Sequence, residues 1–302
     1  MPKRLRVAVV AEESAGVQAL HELVALRPGV EVAAVLTSEA RPLVREAARK
    51  LGLETWPAEL VRSSAFAARL LQAGVDLLIN VHSLFVVHPD VVAAPAIGSF
   101  NLHPGPLPHY AGLNVPSWAV YNGEQEHGVT LHWMDEGIDT GPVAWMDRFG
   151  LTDDETGLSV SGKCVRRGVP LVVKLVQTAM ENAARIPRHE QDRALRRYFP
   201  AGPPAQGRID WAVPLAEILR FVRAADYAPF PSPWPHPLAR LAGQEVGIAK
   251  AQGAGVASTG PPGAAQTVTD AGVVVATVDE AVLVQRLWVD GRYRKPAEVL
   301  AH

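Results

Sequence analysis

With 302 residues, 48% of them apolar and 20% charged, the chain has room for one large domain and one small one, each with its own core. Its 29 basic and 31 acidic residues leave a formal net charge of -2, without the basic excess that a protein built to grip a nucleic-acid backbone carries. One cysteine, Cys164, excludes an internal disulfide framework and a thiolate metal site, and reads as a half-buried helix residue.

The opening MPKRLRVAVV passes from a short basic lead straight into a strand. No apolar signal stretch follows, and no run of about 18 apolar residues occurs anywhere, so a soluble, cytoplasmic protein without membrane partners is expected. Residues 5–10 predict a strand, 14–26 a helix, 30–37 (VEVAAVLT) a strand, 41–51 a helix and 76–81 (DLLINV) a third strand. That alternation is the mark of βαβ units around a parallel sheet covered on both faces. The first strand-to-helix turn, AEESAG, lacks the G-x-G-x-x-G spacing of a dinucleotide site, which disfavours a dehydrogenase. Residues 98–143 are denser in His, Asn, Gly, Pro and Trp than packing requires, and chemistry is expected there. A helical pattern over 169–184 leads into a basic stretch in which 193–197 read as a solvated helix face. FPAGPPAQG, residues 199–207, reads as a linker. Then 214–225 predict a helix, with Leu215, Ile218, Leu219 and Val222 at helical spacing. Short strands over 238–249, 273–278 and 282–289, with 252–265 as a flexible loop, describe a small β-barrel-like (OB-like) module. The expected architecture is α/β: a Rossmann-like, mostly parallel sheet over 1–198, a linker over 199–207 and the small domain over 208–302.

The sharpest stretch is SFNLHPGPLPHYAG, residues 99–112. A strand ending there delivers Asn101 and His103 on one side of the backbone, because strand side chains alternate. The prolines at 104, 106 and 108 permit neither strand nor helix and fix an irregular loop after the pair. An amide beside an imidazole suits acyl transfer. The imidazole takes a proton from an attacking amine, and the amide donates to the developing oxyanion, a contact worth ~2.7–4 kcal/mol. In GVTLHWMDEGIDTG, residues 128–141, a strand turns sharply. Asp139, expected at a strand end, is placed to orient and polarise His103, as the acid of a hydrolytic triad does. Asp135, Glu136 and Asp139 lack the length of a calcium loop and the His pair of a zinc site, so no metal is expected. His82 and His88 read as structural, and His127 and His132 as surface or packing residues.

Taken together, Asn101-x-His103, Pro-x-x-Leu-Pro-x-x-x-Gly, Gly-Val-Thr and Asp-x-Gly-x-Asp-Thr-Gly resemble the folate-dependent formyltransferase family, which spans tRNA-, nucleotide-, sugar- and amino-acid-directed enzymes. The likeness covers about residues 5–180, and GRIDW with LRFVRAADYAPFPSPW resembles the small C-terminal domain of some members. It implies N10-formyltetrahydrofolate as donor, Asn101 holding the formyl oxygen, His103 as proton acceptor and Asp139 supporting both. It implies that the backbone of Ser83, Leu84, Phe85, Val86 and Val87 passes beside the pterin, and that the turn Asp135, Glu136, Gly137 and Ile138 closes over its other edge. Gly112 permits the loop bend, Asn114 departs from the basic residue common there, and His109, Tyr110 and Trp118 are candidates to line the acceptor.

The acidic turn AEESAG carries no Arg or Lys until Arg27, unlike tRNA-acting members, so contact with a phosphate-rich acceptor looks weak. The resemblance therefore implies transfer to a small amine: an amino sugar, amino acid or hydroxylamine-type precursor. Methionyl-tRNA formylation, hydrolysis of the formyl donor and a folate-binding module without turnover stand as rivals, and the small domain is also a candidate homodimer contact.

Overall fold

The computed structural model describes residues 4–40 and 42–300. Its first part alternates as the sequence predicts: β1 (Leu5–Ala11), α1 (Glu13–Ala25), β2 (Val30–Thr37), α2 (Pro42–Lys50), β3 (Thr55–Pro57), α3 (Phe66–Gln72), β4 (Leu77–Val81), α4 (Pro89–Ala93) and β5 (Gly98–His103). Then come β6 (Ala111–Gly112), α5 (Val115–Asn122), β7 (Glu126–Trp133), β8 (Val143–Gly150) and α6 (Gly157–Asn182). Position 41, where the second predicted helix starts, lies outside the described residues. Seven strands form one sheet in the order β3-β2-β1-β4-β5-β7-β8. The pairs from β3 through β5 are parallel, and β7 runs antiparallel to β5. Strand β1 lies between β2 and β4, so successive crossovers leave it in opposite directions. In such sheets ligands bind outside the carboxyl ends of the strands at that reversal.

The chain divides into two compact units. The first gathers the chain as far as Gly112, then His127–Phe149 and Gly162–Tyr198; the second gathers Leu113–Glu126, Gly150–Ser161 and the chain from Phe199 onward. The first is built on the seven-stranded sheet, whose β1 residues Val7, Ala8, Val9 and Val10 are fully buried. The second adds β9, whose Phe199 belongs to it (Tyr198–Phe199), α7 (Leu215–Ala224), β10 (Leu238–Leu241), β11 (Gln244–Ala257), β12 (Ala265–Thr269), β13 (Gly272–Val275), β14 (Glu280–Val289), β15 (Arg292–Arg294) and α8 (Pro296–Leu300). Strands β10 to β15 form a six-stranded antiparallel sheet, the barrel-like module expected. Its core brings Leu215 and Val222 of α7 against Ile248, Val273, Val282, Val284 and Leu287.

Three expectations need correction. The helix predicted over 169–184 begins at Gly157, because the residues that looked like breakers serve packing. A Cβ on Gly168 would sit 2.9 Å from Val129 Cγ2 and 3.1 Å from Leu102, so glycine lets α6 approach the sheet. The loop predicted over 252–265 begins later, since β11 keeps pairing with β14 as far as Ala257↔Glu280 through register shifts that absorb its glycines. Residues 193–197 do not form a longer helix, only a short 3-10 turn, Arg193–Leu195; Arg193, Ala194, Leu195 and Arg197 are exposed as expected, and Arg196 reaches the Ile138 carbonyl. Among the described residues no helix is long and apolar enough to cross a membrane.

Gly168→Val should force an isopropyl group into Leu102 and Val129 and cost about 1–3 kcal/mol by overpacking. Chemical denaturation should show the midpoint falling with the m-value unchanged.

Candidate active site

Register builds this site. Asn80 of β4 pairs with Asn101 of β5, and Asn101 with His132 of β7, so three polar side chains stand in one row across three adjacent strands. In an otherwise apolar sheet interior each must find a partner. The row supplies them: Asn80 Nδ2 donates to Asn101 Oδ1 at 3.0 Å and to the Ser83 carbonyl at 3.2 Å. With its oxygen engaged, Asn101 presents Nδ2 toward Asp139 Oδ1 at 3.3 Å and His132 Nε2 at 3.1 Å. His132 Nδ1 lies 2.7 Å from the Trp133 carbonyl, which only accepts, so Nδ1 carries the hydrogen and Nε2 receives from Asn101.

One pleat further along β5, His103 follows the same logic. Its Nε2 lies 2.5 Å from the Tyr110 carbonyl and therefore donates. That leaves Nδ1, with its lone pair, facing Asp139 Oδ1 at 3.6 Å. The loop after His103 is pinned by its carbonyls. Thr130 Oγ1 donates to Gly105 at 2.7 Å and accepts from the Leu107 amide at 3.2 Å, and His127 Nε2 donates to Pro104 at 2.9 Å.

Asp139 is not at a strand end as expected. Strand β7 stops at Trp133, and Asp139 lies in the following turn with φ 56, a left-handed backbone that Asp tolerates better than most residues. Its Oδ1 faces Asn101, His103 and His132, and its Oδ2 accepts from the Gly112 amide at 2.9 Å. Burial pushes the Asp139 pKa up, but the attraction between its carboxylate and a proton taken up by His103 or His132, together with the Gly112 amide, outweighs it and holds the carboxyl well below the usual carboxylate range. Burial also lowers the His103 pKa, more than Asp139 raises it, so the ring is neutral with a free basic nitrogen. The arrangement offers a neutral amide donor, a proton-accepting nitrogen and a fixed anion around one point.

The segments expected to flank a pterin are partly exposed. Leu84 is 67% exposed, Val86 66% and Ile138 48%, whereas Ser83 and Val87 are buried and Phe85 is half-buried. The turn from Asp135 is braced from within, since Asp135 Oδ1 accepts from the Gly137 amide at 3.1 Å and Thr140 Oγ1 at 2.6 Å. With Glu136 and Arg193, these residues line a groove. Among the described residues no cluster suited to a metal ion occurs. Of the residues expected at the acceptor, Gly112 bonds Asp139 directly and Tyr110 reaches His103 through its carbonyl, while His109 is half-buried. Trp118 and Asn114 belong to the second unit and are committed to packing there. Trp118 donates to the Pro200 carbonyl at 3.0 Å and stacks near Phe199 and Trp234, and Asn114 donates to Ala201 at 2.7 Å. Trp118 has spent its one N–H donor there, whereas Asn114 keeps a second amide hydrogen.

Asn80 and His132 escaped the sequence reading. His132, expected at the surface or in packing, is a buried member of the network. The signal was present: both are polar residues inside runs otherwise fit for a buried strand. His88, as expected, is structural, accepting from the Asp90 amide at 3.2 Å to cap α4.

Comparison with known proteins identifies the family. The Formyl transferase family profile matches residues 3–173, and that of the Formyl transferase C-terminal domain matches residues 203–301. The methionyl-tRNA formyltransferase of Solibacter usitatus is 29% identical over 287 residues, 92% of this chain and 89% of that protein. That of Anaeromyxobacter dehalogenans is 30% identical, over 86% and 82%. Among solved structures, HypX from Aquifex aeolicus in complex with tetrahydrofolic acid has TM-score 0.68 at 22% identity, with the chain spanning only 47% of that protein. The Helicobacter canadensis N-formyltransferase, in complex with folinic acid and dTDP-3-aminofucose, has TM-score 0.67 at 19% identity over 93% and 98%.

His127 is enclosed beside Tyr110 and Phe149, and burial takes its pKa from 6.5 to about 4 despite the Pro104 carbonyl; His82 is lowered to about 4 as well. The unfolded chain thus binds protons first, and stability should fall as pH drops from 6.5 towards 4, by ~3 kcal/mol for His127 alone. Denaturation midpoints across that range should show the fall, and His127→Gln should make it shallower, leaving the part that His82 contributes.

Proposed function

Because the chain belongs to the formyl transferase family, we propose that it moves a formyl group from N10-formyltetrahydrofolate to the amine of a small-molecule acceptor, an amino sugar, amino acid or hydroxylamine-type compound. The observation that carries the chemistry is the meeting of Asn101 Nδ2, at 3.3 Å, and His103 Nδ1, at 3.6 Å, on one carboxylate oxygen of Asp139. The exposed apolar side chains of Leu84, Val86 and Ile138 fit a flat ring system lying over them. When bound, the donor supplies the formyl carbonyl and leaves as tetrahydrofolate.

The chain's own residues do the rest. His103 Nδ1 takes the proton of the attacking amine, and ionised Asp139 stabilises the imidazolium that results. Asn101 Nδ2 supplies the donor for the formyl oxygen as negative charge develops on it. In the free protein its two hydrogens point to Asp139 and His132, so the formyl oxygen takes over one of these contacts. His103 then returns its proton to the departing nitrogen.

The preference for a small acceptor rests on the β1–α1 turn, at the carboxyl edge of the sheet. The residue there is Glu12, buried, with Oε1 accepting from the Ser38 amide at 2.7 Å and Oε2 from Thr37 Oγ1 at 3.4 Å. A helix N-terminus in this position is where α/β proteins seat phosphate groups. Here a fixed carboxylate stands beside it, which opposes a polyanionic acceptor. Methionyl-tRNA is the second reading, favoured by the sequence relatives.

A panel containing dTDP-3-aminofucose, methionine, hydroxylamine and methionyl-tRNA should separate these readings by tetrahydrofolate release. Fast release with a small amine and none with methionyl-tRNA is expected; the opposite result would overturn the acceptor assignment, and equal release without amine would indicate hydrolysis. Asn101→Ala should lower kcat by about 100- to 1000-fold. With His103 acting as base, activity should be lost as pH falls through its pKa, and the acid limb of kcat/KM should lie below 6.5.

A further inference from the structure

We infer that Gln191 is a positioning residue for the formyl transfer, acting through Asp139. The inference rests on the catalytic reading just given.

The turn that carries Asp139 leaves β7 and re-enters the sheet at β8, and the carbonyls of Ile138, Asp139 and Gly141 lie within it, outside the strands. A strap of chain after α6 meets them. The strap bonds to strand residues at two points: the Val143 and His189 amides exchange hydrogen bonds at 2.8 and 3.0 Å, and Trp133 Nε1 donates to the Pro187 carbonyl at 2.7 Å. Between these anchors and its end, Gln191 Nε2 donates to the Asp139 carbonyl at 3.1 Å and to the Gly141 carbonyl at 2.7 Å. Arg196 Nη2 donates to the Ile138 carbonyl at 3.0 Å. Three carbonyls within four residues are thus held by two side chains of the strap.

The orientation of the Gln191 amide is fixed by chemistry. Both partners are carbonyl oxygens, so a flipped amide would set three oxygens against one another, and only the nitrogen fits. The cost is visible on the other side, where Gln191 Oε1 is buried without a partner among the described residues. A glutamine placed only for stability gains little from stranding its acceptor. What it does gain is control of Asp139. That residue's backbone is left-handed, and its carboxylate has to meet Asn101, His103, His132 and the Gly112 amide at once. Fixing the carbonyl of the same residue limits rotation of its peptide plane, which sets where the side chain emerges. Misplacing a catalytic group by about 1 Å costs up to 100-fold in rate.

The test is a double-mutant cycle with Gln191→Ala and Asp139→Asn, read as kcat with N10-formyltetrahydrofolate and the panel amine giving the fastest release, each variant first checked by thermal melting. Gln191→Ala should lower kcat by about 10- to 100-fold in the parent enzyme and by less than about 2-fold beside Asp139→Asn, because the interaction it serves is then already gone. Gln191→Glu, which keeps the shape and loses the donor, should behave like the alanine variant and guards against a folding defect specific to truncation. Equal losses in both backgrounds, or an undiminished kcat in Gln191→Ala, overturn the inference. Parent-like turnover in Asp139→Asn alone would instead remove the catalytic reading beneath it. A second readout needs no donor. The titratable groups around the His103 ring are Asp139, His132, His82 and His127. Of these only Asp139 raises its proton affinity, so NMR titration should show the His103 pKa falling in Gln191→Ala; an unchanged value counts against the proposal.

Discussion

A carboxylate kept ionised inside the first unit is the constraint around which its geometry is arranged. Asp139 is buried, and a buried charge that loses its partners costs about 3–5 kcal/mol. The fold meets that demand with two donors from different elements, Asn101 Nδ2 from β5 and the Gly112 amide from β6, and sets the rings of His103 from β5 and His132 from β7 beside them. None is adjacent to Asp139 in sequence. The charge can be satisfied only when β5 and β7 are paired in the observed register and the loop from 104 to 112 has folded back. A one-residue slip of β7 would turn His132 and Thr130 to the other face and undo both the row and the pinned loop.

Hydrogen-bond direction then passes along the row. Trp133 O fixes which nitrogen of His132 is protonated, and His132 Nε2 thereby becomes an acceptor for Asn101. Asn80 engages the Asn101 oxygen, so the amide nitrogen is turned toward the carboxylate. Tyr110 O sets the tautomer of His103 in the same manner. Two backbone carbonyls and one asparagine thus decide the chemical character of groups whose identities alone would leave it open. A pair of Asn and His side chains is common in proteins; a pair with its donor and its lone pair already aimed at one anion is a site.

What could be read in the sequence follows from how local each determinant is. Strands β1, β2 and β4 were legible because a parallel sheet covered on both faces needs nearly continuous apolar runs. Asn101 and His103 were legible because period-two alternation puts them on one face and the prolines end the strand directly after them. Asp139 was legible as a participant, yet its place was not: the turn that lifts it off the strand end is shaped by carbonyl contacts to Gln191 and Arg196, 52 and 58 residues away from their partners. His132 and Asn80 were missed for a related reason. A polar residue inside a strand pattern says only that something must satisfy it, and what does so is set by inter-strand register. The early start of α6 was hidden because Gly168 serves close packing, and in a single sequence that role looks the same as a break.

Backbone strain has a similar distribution. Among the described residues of the first unit, the non-glycine residues with positive φ are Glu13, His82 and Asp139, with φ 57, 57 and 56. Glu13 follows β1, His82 follows β4 and Asp139 follows β7, so all three come after strands of the central sheet, and none occurs inside a strand or in the middle of a helix. Such conformations cost about 1–3 kcal/mol each and persist only where surrounding contacts impose them. The contacts imposing Asp139 are known in detail. For Glu13 the preceding residue is anchored, with the Glu12 amide on Val81 O and its carboxylate on Ser38. His82 stands one residue past the paired part of β4, where Asn80 reaches over it to the Ser83 carbonyl. Each strained position is therefore bracketed by polar contacts. Stability is given up there in return for side-chain directions that an unstrained strand-to-loop exit does not offer, and the apolar interior of β1, β2 and β4 makes that exchange sustainable.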